Sequence, residues 1–98
     1  ARVVRLLYRM AGGVNVDPDA VAAVLAGHPA VADVRVVGEP DPEWGTAVVA
    51  EVVVAEGARW DEGPVTAWAR ARLGSARTPK RWRRVASIAT TELGKRRP

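Results

Sequence analysis

The sequence contains no cysteine, a single histidine and only five aromatic residues among 98. The absence of cysteine excludes disulfides, zinc–thiolate sites and cysteine nucleophiles, and it is consistent with the reducing cytoplasm. One histidine, His28, argues against a His-rich metal site and against a conventional catalytic triad. No apolar run approaches the roughly 18 residues that a membrane-spanning helix needs. We therefore expect a cytoplasmic domain with no membrane span.

The start of the chain, Ala1-Arg2-Val3-Val4, has neither an initiator methionine nor a signal-peptide pattern. The length corresponds to one small domain. With 48% hydrophobic and 27% charged residues, the composition is that of a globular protein. We expect residues 1–98 to form a single domain, which either stands alone or is a piece of a longer chain.

Charge is distributed unevenly along the chain. Residues 1–67 carry five basic and ten acidic side chains, whereas residues 68–98 carry ten basic and one acidic. The formal net charge of the whole chain is +4. A basic segment of this kind attracts polyanions such as nucleic acid, an acidic membrane surface or a phosphorylated small molecule. The alternative is a solvated basic face without a ligand.

Turn and capping residues predict two helices. The first is expected to start at Asp17-Pro18, where the Asp side chain accepts from free N–H groups and the Pro suits the first helical position. It is expected to end at Gly27. The second is expected to open at Trp60-Asp61-Glu62, with an acidic residue near its positive N-terminus, and to end at Gly74.

Apolar, β-branched runs predict the strands around these helices. A cluster of glycine, proline and acidic residues predicts a turn at residues 38–42. The resulting order is β-α-β-β-α-β followed by a loop tail, which predicts an α+β fold with two helices packed on a small, mostly antiparallel sheet. The expected strands are residues 3–8, 31–37, 47–55 and 82–88.

Lys95 follows Gly94 in a polar loop beyond the last predicted strand. An ammonium group on such a loop suits an oxygen that becomes more negative in a phosphoryl or acyl transition state. The motif is not a P-loop, because Ala89 stands where the first Gly is needed and Arg96 follows the Lys. The alternative is a solvated lysine in the tail.

Three further features are candidates for binding. Gly12-Gly13 permits positive φ and a close backbone approach to a ligand, or forms a plain turn. Trp44 in a loop offers a stacking surface, or covers the edge of the core. Lys80 and the arginines after it either grip phosphates or solvate an edge strand.

Four motifs occur in order along the chain: G-G-V-N-V-D-P, H-P-A-V-A-D-V-R-V-V-G-E-P-D-P-E-W-G, T-P-K-R and T-E-L-G-K. With this order and spacing the chain resembles, over residues 12–97, the C-terminal domain of the AMP-binding, adenylate-forming ligases. The first motif and the W-G pair are closest to the acyl-CoA synthetase branch. The resemblance implies that residues 1–98 are the C-terminal lid domain of a larger enzyme.

The resemblance implies a two-step reaction in which ATP and a carboxylic acid form an acyl-adenylate and the thiol of CoA then displaces AMP. A large N-terminal domain, in the same chain or in trans, would bind ATP, the acid and Mg²⁺, so the isolated C-terminal domain would be inactive. Lys95, carried on the catalytic loop by Gly94, would act in the first step. A carrier-protein thiol in place of CoA stays open.

The same resemblance implies the contacts of the second step. Gly12 and Gly13 match the face that closes over the thiol tunnel, beside the pantetheine arm of CoA. Trp44 and Lys80 match positions that meet the nucleotide end of CoA, where a stacking ring and a phosphate-binding ammonium suit the ligand.

Two other classes of function stay open on the residues alone. One is a stand-alone anion-binding module that uses the basic segment. For nucleic acid this is disfavoured, because the few aromatic residues do not interleave with basic ones along one strand as in RNA-binding sheets. The other is an interaction module that dimerises through an edge strand or the Val-rich sheet.

Overall fold

The computed structural model describes residues 8, 9, 15–43 and 45–88, with the backbone alone at residues 8, 9 and 15. The elements are β1 (Tyr8–Arg9), β2 (Asn15–Val16), α1 (Pro18–Leu25), β3 (Val31–Asp41), β4 (Gly45–Val54), α2 (Glu62–Leu73) and β5 (Arg81–Arg84). Over the described ranges the chain thus forms two helices, a two-stranded sheet of β1 and β2, and a three-stranded sheet of β3, β4 and β5. Most of the predicted first strand, and the predicted loop tail, lie outside the described residues.

The first helix starts as predicted and ends directly before Gly27, but this glycine does not have the expected conformation. The Asp17 Oδ1 accepts from the N–H groups of Asp19 at 3.0 Å and Ala20 at 3.4 Å, and Pro18 takes the first helical position. The helix ends at Leu25, with Ala26 as its C-cap. Gly27 does not adopt the expected positive φ. A Cβ atom there would lie only 3.3 Å from the Val24 carbonyl oxygen, so this glycine serves a close approach of the backbone.

The sheet has the order β3-β4-β5. β3 and β4 are antiparallel, whereas β5 lies parallel to β4. A parallel pair needs a crossover connection, and α2 provides it. The second helix ends at Gly74 as predicted, with a φ of 79°. The predicted α+β fold with two helices on a small sheet is confirmed, and β5 is the parallel exception to its antiparallel pairing.

The predicted turn at residues 38–42 is wrong in position. β3 continues to Asp41, which pairs with Gly45, so the chain reverses between these two residues. The Pro40 ring is tolerated because β3 is an edge strand, where a missing N–H removes no hydrogen bond from a second neighbour. The proline and glycine residues at 38–42 therefore suggested a turn, whereas they belong to an edge strand.

Both helices pack on one face of the sheet. The core there is formed by small, β-branched side chains with one leucine, as alternation along the strands requires. Neither described helix is long and apolar enough to cross a membrane. The core cluster consists of Val16, Val21, Leu25, Val31, Val36, Val48, Ala50, Val52 and Ala69.

Candidate functional site

Lys80 is the one predicted site residue that the structure describes. It lies in the loop between α2 and β5, and its side chain is half-buried. The other predicted site residues lie outside the described residues, so their roles stay predictions. They are Gly12, Gly13, Trp44, Gly94 and Lys95.

The loop that carries Lys80 is held by polar contacts. Thr78, 2% exposed, donates from its backbone N–H at 3.1 Å and from its Oγ1 at 2.7 Å to the Gly74 carbonyl. The Lys80 Nζ donates to the Ser75 carbonyl at 3.1 Å, and its backbone N–H donates to the Val48 carbonyl at 2.7 Å. The ammonium group is therefore braced across the loop, and its backbone is fixed to the central strand.

The turn between β3 and β4 lies at the same end of the sheet. Asp41 Oδ1 accepts from the Glu43 N–H at 2.8 Å, and Gly45, at a φ of 78°, opens β4 opposite Asp41. Asp41 Oδ2 lies 2.9 Å from the Nη1 of Arg81, the residue after Lys80. The residue after Lys80 is thus attached to the last residue of β3, while the predicted role of Lys80 and Trp44 at the nucleotide end of CoA stays a prediction.

Arginines surround the C-terminal end of α2. Arg70 and Arg72 lie in its last turn, where cations interact favourably with the helix dipole. Arg72 stacks 4.1 Å from the centre of the Trp68 ring and donates to the Trp68 carbonyl at 3.1 Å. Neither Arg70 nor Arg77 has an ion pair within the described part of the chain. This end of the molecule therefore offers positive charge beside Lys80.

Two arginines of β5 are engaged by carboxylates of the sheet. Arg83 bonds Glu51 at 2.9 Å and Glu39 at 2.9 Å, and Arg35 bonds Glu51 at 2.8 Å. The bonds to Glu39 and Glu51 raise the pKa of the Arg83 guanidinium above its usual value. We call this set the ion-pair ladder. It consists of Arg35, Glu39, Asp41, Glu51, Arg81 and Arg83.

The ladder changes the interpretation of the basic segment. The sequence offered Arg81 and Arg83 both as phosphate ligands and as solvating residues of an edge strand. In the structure they bind carboxylates of β3 and β4. Asp41 was missed in the sequence, although charged residues at every second position of a strand are the signal for such a charged face.

The opposite end of the sheet differs. An open groove of about 410 Å³ lies where β4 and β5 end, and Arg84 is its one charged lining residue. No group of three or more His, Asp or Glu side chains that could hold a metal ion occurs among the described residues. The groove is lined by Val53, Val54, Arg84, Val85 and Ala86.

Comparison with known proteins identifies relatives across nearly all of the chain. A medium/long-chain-fatty-acid–CoA ligase of Mycobacterium tuberculosis is 46% identical over 91 residues, which cover 86% of this chain and 16% of that protein. A feruloyl-CoA synthase of an Amycolatopsis species is 40% identical over 86 residues, or 88% of this chain and 18% of that protein.

A solved structure has the same fold. The amide bond synthetase McbA from Marinactinospora thermotolerans matches with a TM-score of 0.79 and 41% identity, over 87% of this chain and 17% of that one. The chain therefore spans only 16–18% of the length of these relatives. The family described as AMP-binding enzyme C-terminal domain matches residues 20–95. The resemblance that the motifs carried is confirmed, and the chain belongs to the AMP-binding enzyme C-terminal domain family.

Proposed function

We propose that this chain is the C-terminal lid domain of an ATP-dependent ligase that joins a carboxylic acid to CoA. In the first step a carboxylate oxygen attacks the α-phosphorus of ATP, the bond to pyrophosphate breaks, and an acyl-adenylate forms. In the second step the CoA thiol loses its proton and its sulfur attacks the acyl carbon. The bond to the phosphate oxygen then breaks and AMP leaves.

The observation that carries this proposal is the 46% identity to a fatty-acid–CoA ligase over 86% of the chain. The geometry around Lys80 supports this proposal. Lys80 is held by the Ser75 and Val48 carbonyls, and Arg81 after it binds Asp41 at the end of β3. Arg70 lies in α2, and Arg77 lies in the loop before Lys80. An ammonium and guanidinium groups suit the phosphates of CoA. In this proposal Trp44 and Lys80 contact its nucleotide end.

Lys95 and the glycine pair take the remaining roles in the proposal. The Lys95 ammonium, on the loop of Gly94, offsets the negative charge that develops on carboxylate and phosphate oxygens during adenylation. Gly12 and Gly13 leave room for the pantetheine arm, because they carry no Cβ. Mg²⁺ and the acid pocket belong to the large N-terminal domain.

The test uses the native polypeptide that contains these residues. It is incubated with ATP and a panel of carboxylates that includes decanoate and ferulate, with and without CoA, and AMP and pyrophosphate are measured. We expect AMP release that requires both the acid and CoA. Release of ADP in place of AMP, or no acid-dependent turnover with any carboxylate, would overturn the proposal.

The two steps are separated by two variants. Lys95→Ala is expected to slow acid-dependent ATP–pyrophosphate exchange by about 100-fold, the scale for losing one preorganised charged or hydrogen-bonding group. It should leave the transfer from preformed acyl-adenylate to CoA much less affected. Gly13→Leu is expected to do the reverse, because its side chain fills the thiol tunnel. Equal loss of both half-reactions in Lys95→Ala would contradict the assigned role.

A second candidate is transfer of the acyl group to an amine. The 41% identity to an amide bond synthetase, with a TM-score of 0.79, favours it. The amine nitrogen would attack the acyl carbon of the adenylate, lose a proton and release AMP. Replacing CoA by a panel of primary amines in the same assay distinguishes the two acceptors.

A further inference from the structure

One carboxylate joins two loops at the Lys80 end of the sheet. Asp41 is the last residue of β3, and its side chain is only 11% exposed. Its Oδ1 accepts from the Glu43 N–H at 2.8 Å, which shapes the turn into β4. Its Oδ2 lies 2.9 Å from the Arg81 Nη1, at the first residue of β5. Two segments that are 40 residues apart in sequence are therefore held by one side chain.

Arg81 follows Lys80 directly, so its contacts bear on the position of Lys80. The Lys80 backbone is bound to β4 through the Val48 carbonyl. The Lys80 ammonium reaches back to the Ser75 carbonyl. The Arg81–Asp41 pair adds a third attachment, from β5 across β4 to β3. The start of β5 is thereby attached at three places: to the loop after α2, to the central strand β4 and to the edge strand β3.

We propose that Asp41 and Arg81 are positioning residues for Lys80, an inference that rests on the proposed function, in which Lys80 binds a phosphate of CoA. A lysine ammonium is a compact charge on a flexible stem, so its affinity for a phosphate depends on how firmly the stem is placed. Arg81 does not touch CoA in this proposal, because its guanidinium is engaged by Asp41. The pair acts through the backbone of β5.

The chain offers a matched control. Arg35 is 46% exposed and pairs with Glu51 at 2.8 Å, whereas Arg81 is 44% exposed and pairs with Asp41 at 2.9 Å. Both belong to the ion-pair ladder, but Arg35 is remote in sequence from Lys80. Replacing either residue by methionine keeps an apolar stem and removes its short ion pair. Arg81→Met also removes a longer contact, at 3.9 Å, with Glu39. Only Arg81→Met removes an attachment of the backbone next to Lys80.

The experiment measures equilibrium binding of CoA, and separately of ATP, to the native polypeptide by titration calorimetry. For Arg81→Met we expect the Kd for CoA to rise about fivefold, the scale of one partly buried ion pair. The Kd for ATP should stay unchanged, and Arg35→Met should bind both ligands normally. Arg81→Lys, which keeps a cation opposite Asp41, should recover most of the CoA affinity.

A second variant keeps the proposal testable if Arg81→Met does not fold. Asp41→Asn retains an oxygen that accepts from the Glu43 N–H but loses the charge that holds Arg81, so it should weaken CoA binding as well. Equal CoA affinity in Arg81→Met, Asp41→Asn and Arg35→Met overturns the positioning role. An unmodified protein that binds ATP but no CoA overturns the proposed function instead.

Discussion

The two faces of the three-stranded sheet are formed by the same strands but stabilised in different ways. Along β4, Val48 and Val52 point into the core beneath the helices and are at most 1% exposed. Glu51, between them in alternation, points to the other face and pairs with Arg35 and Arg83. Successive residues of β4 therefore stabilise the sheet in different ways. Those under the helices do so by apolar burial, and Glu51 does so by ion pairing.

The charged face also carries buried apolar side chains. Ala47 and Val49 are 0% exposed although they alternate with the core residues of β4. In the sheet register Ala47 lies opposite Glu39, and Val49 lies beside Arg81. Long charged side chains cover apolar surface with their stems while the charged ends stay in water. The register therefore places residues of the ladder beside two buried apolar side chains of the same face.

The largest loss of stability is expected from a substitution on the face that the helices cover. Val52→Ala should lower the free energy of unfolding of the 98-residue chain by about 2 kcal/mol, since it removes two buried methyl groups and leaves a small cavity. Val53→Ala is the matched control, because Val53 is only half-buried and points to the other face. Chemical denaturation measures both. Equal losses would mean that burial beneath the helices does not increase the contribution of a valine of β4 to stability.

A smaller effect is expected from the polar contact on the helix-covered face. The Trp82 Nε1 donates to the Thr66 Oγ1 at 2.9 Å, and the Trp82 ring meets the Trp60 ring edge-on, with the ring centres 5.5 Å apart. A double-mutant cycle of Trp82→Phe and Thr66→Val should show a coupling of about 1 kcal/mol, since the hydrogen bond is partly shielded from water. Additive effects of the two substitutions would show that the bond does not stabilise the fold.

The smallest effect is expected from the ladder. Glu51→Gln should lower the free energy of unfolding by about 0.5 kcal/mol at low salt, and by less in 1 M NaCl, because exposed ion pairs are weak and are screened. Glu56→Gln is the control, since Glu56 has no ion pair among the described residues. A salt-independent loss in Glu51→Gln would show that packing, and not charge, dominates the ladder.

The direction of the pKa shift of Arg83 indicates that the ladder is tested by changing the salt concentration and not the pH. The pKa of Arg83 is raised by Glu39 and Glu51. A group whose pKa is raised on folding contributes its full stabilisation below the unfolded pKa and loses it only as the pH rises through the folded value. Because both values lie far above neutrality, the shift of Arg83 predicts no change in stability between pH 6 and 9.

Local chemistry made parts of the fold predictable. Asp17-Pro18 placed the start of α1 and Gly74 the end of α2, because capping depends on a few consecutive residues. The β-branched run at residues 47–55 was correctly expected to be a strand, which is β4. The conformation of Gly27 was not predicted, since this glycine approaches the Val24 carbonyl without a positive φ. The length of β3 was not predicted either, because Pro40 is tolerated only by virtue of a strand order that depends on residues distant in sequence.

The sequence by itself determined the family, because its motifs keep their order and spacing over residues 12–97, and that prediction is confirmed. It also determined which residue types are available to bind phosphates. Only the tertiary structure decided which cations are engaged by carboxylates, since Arg81 and Arg83 meet Asp41 and Glu39 across 40 and 44 residues. Such pairs depend on strand order and register, and the parallel placement of β5 beside β4 determines both.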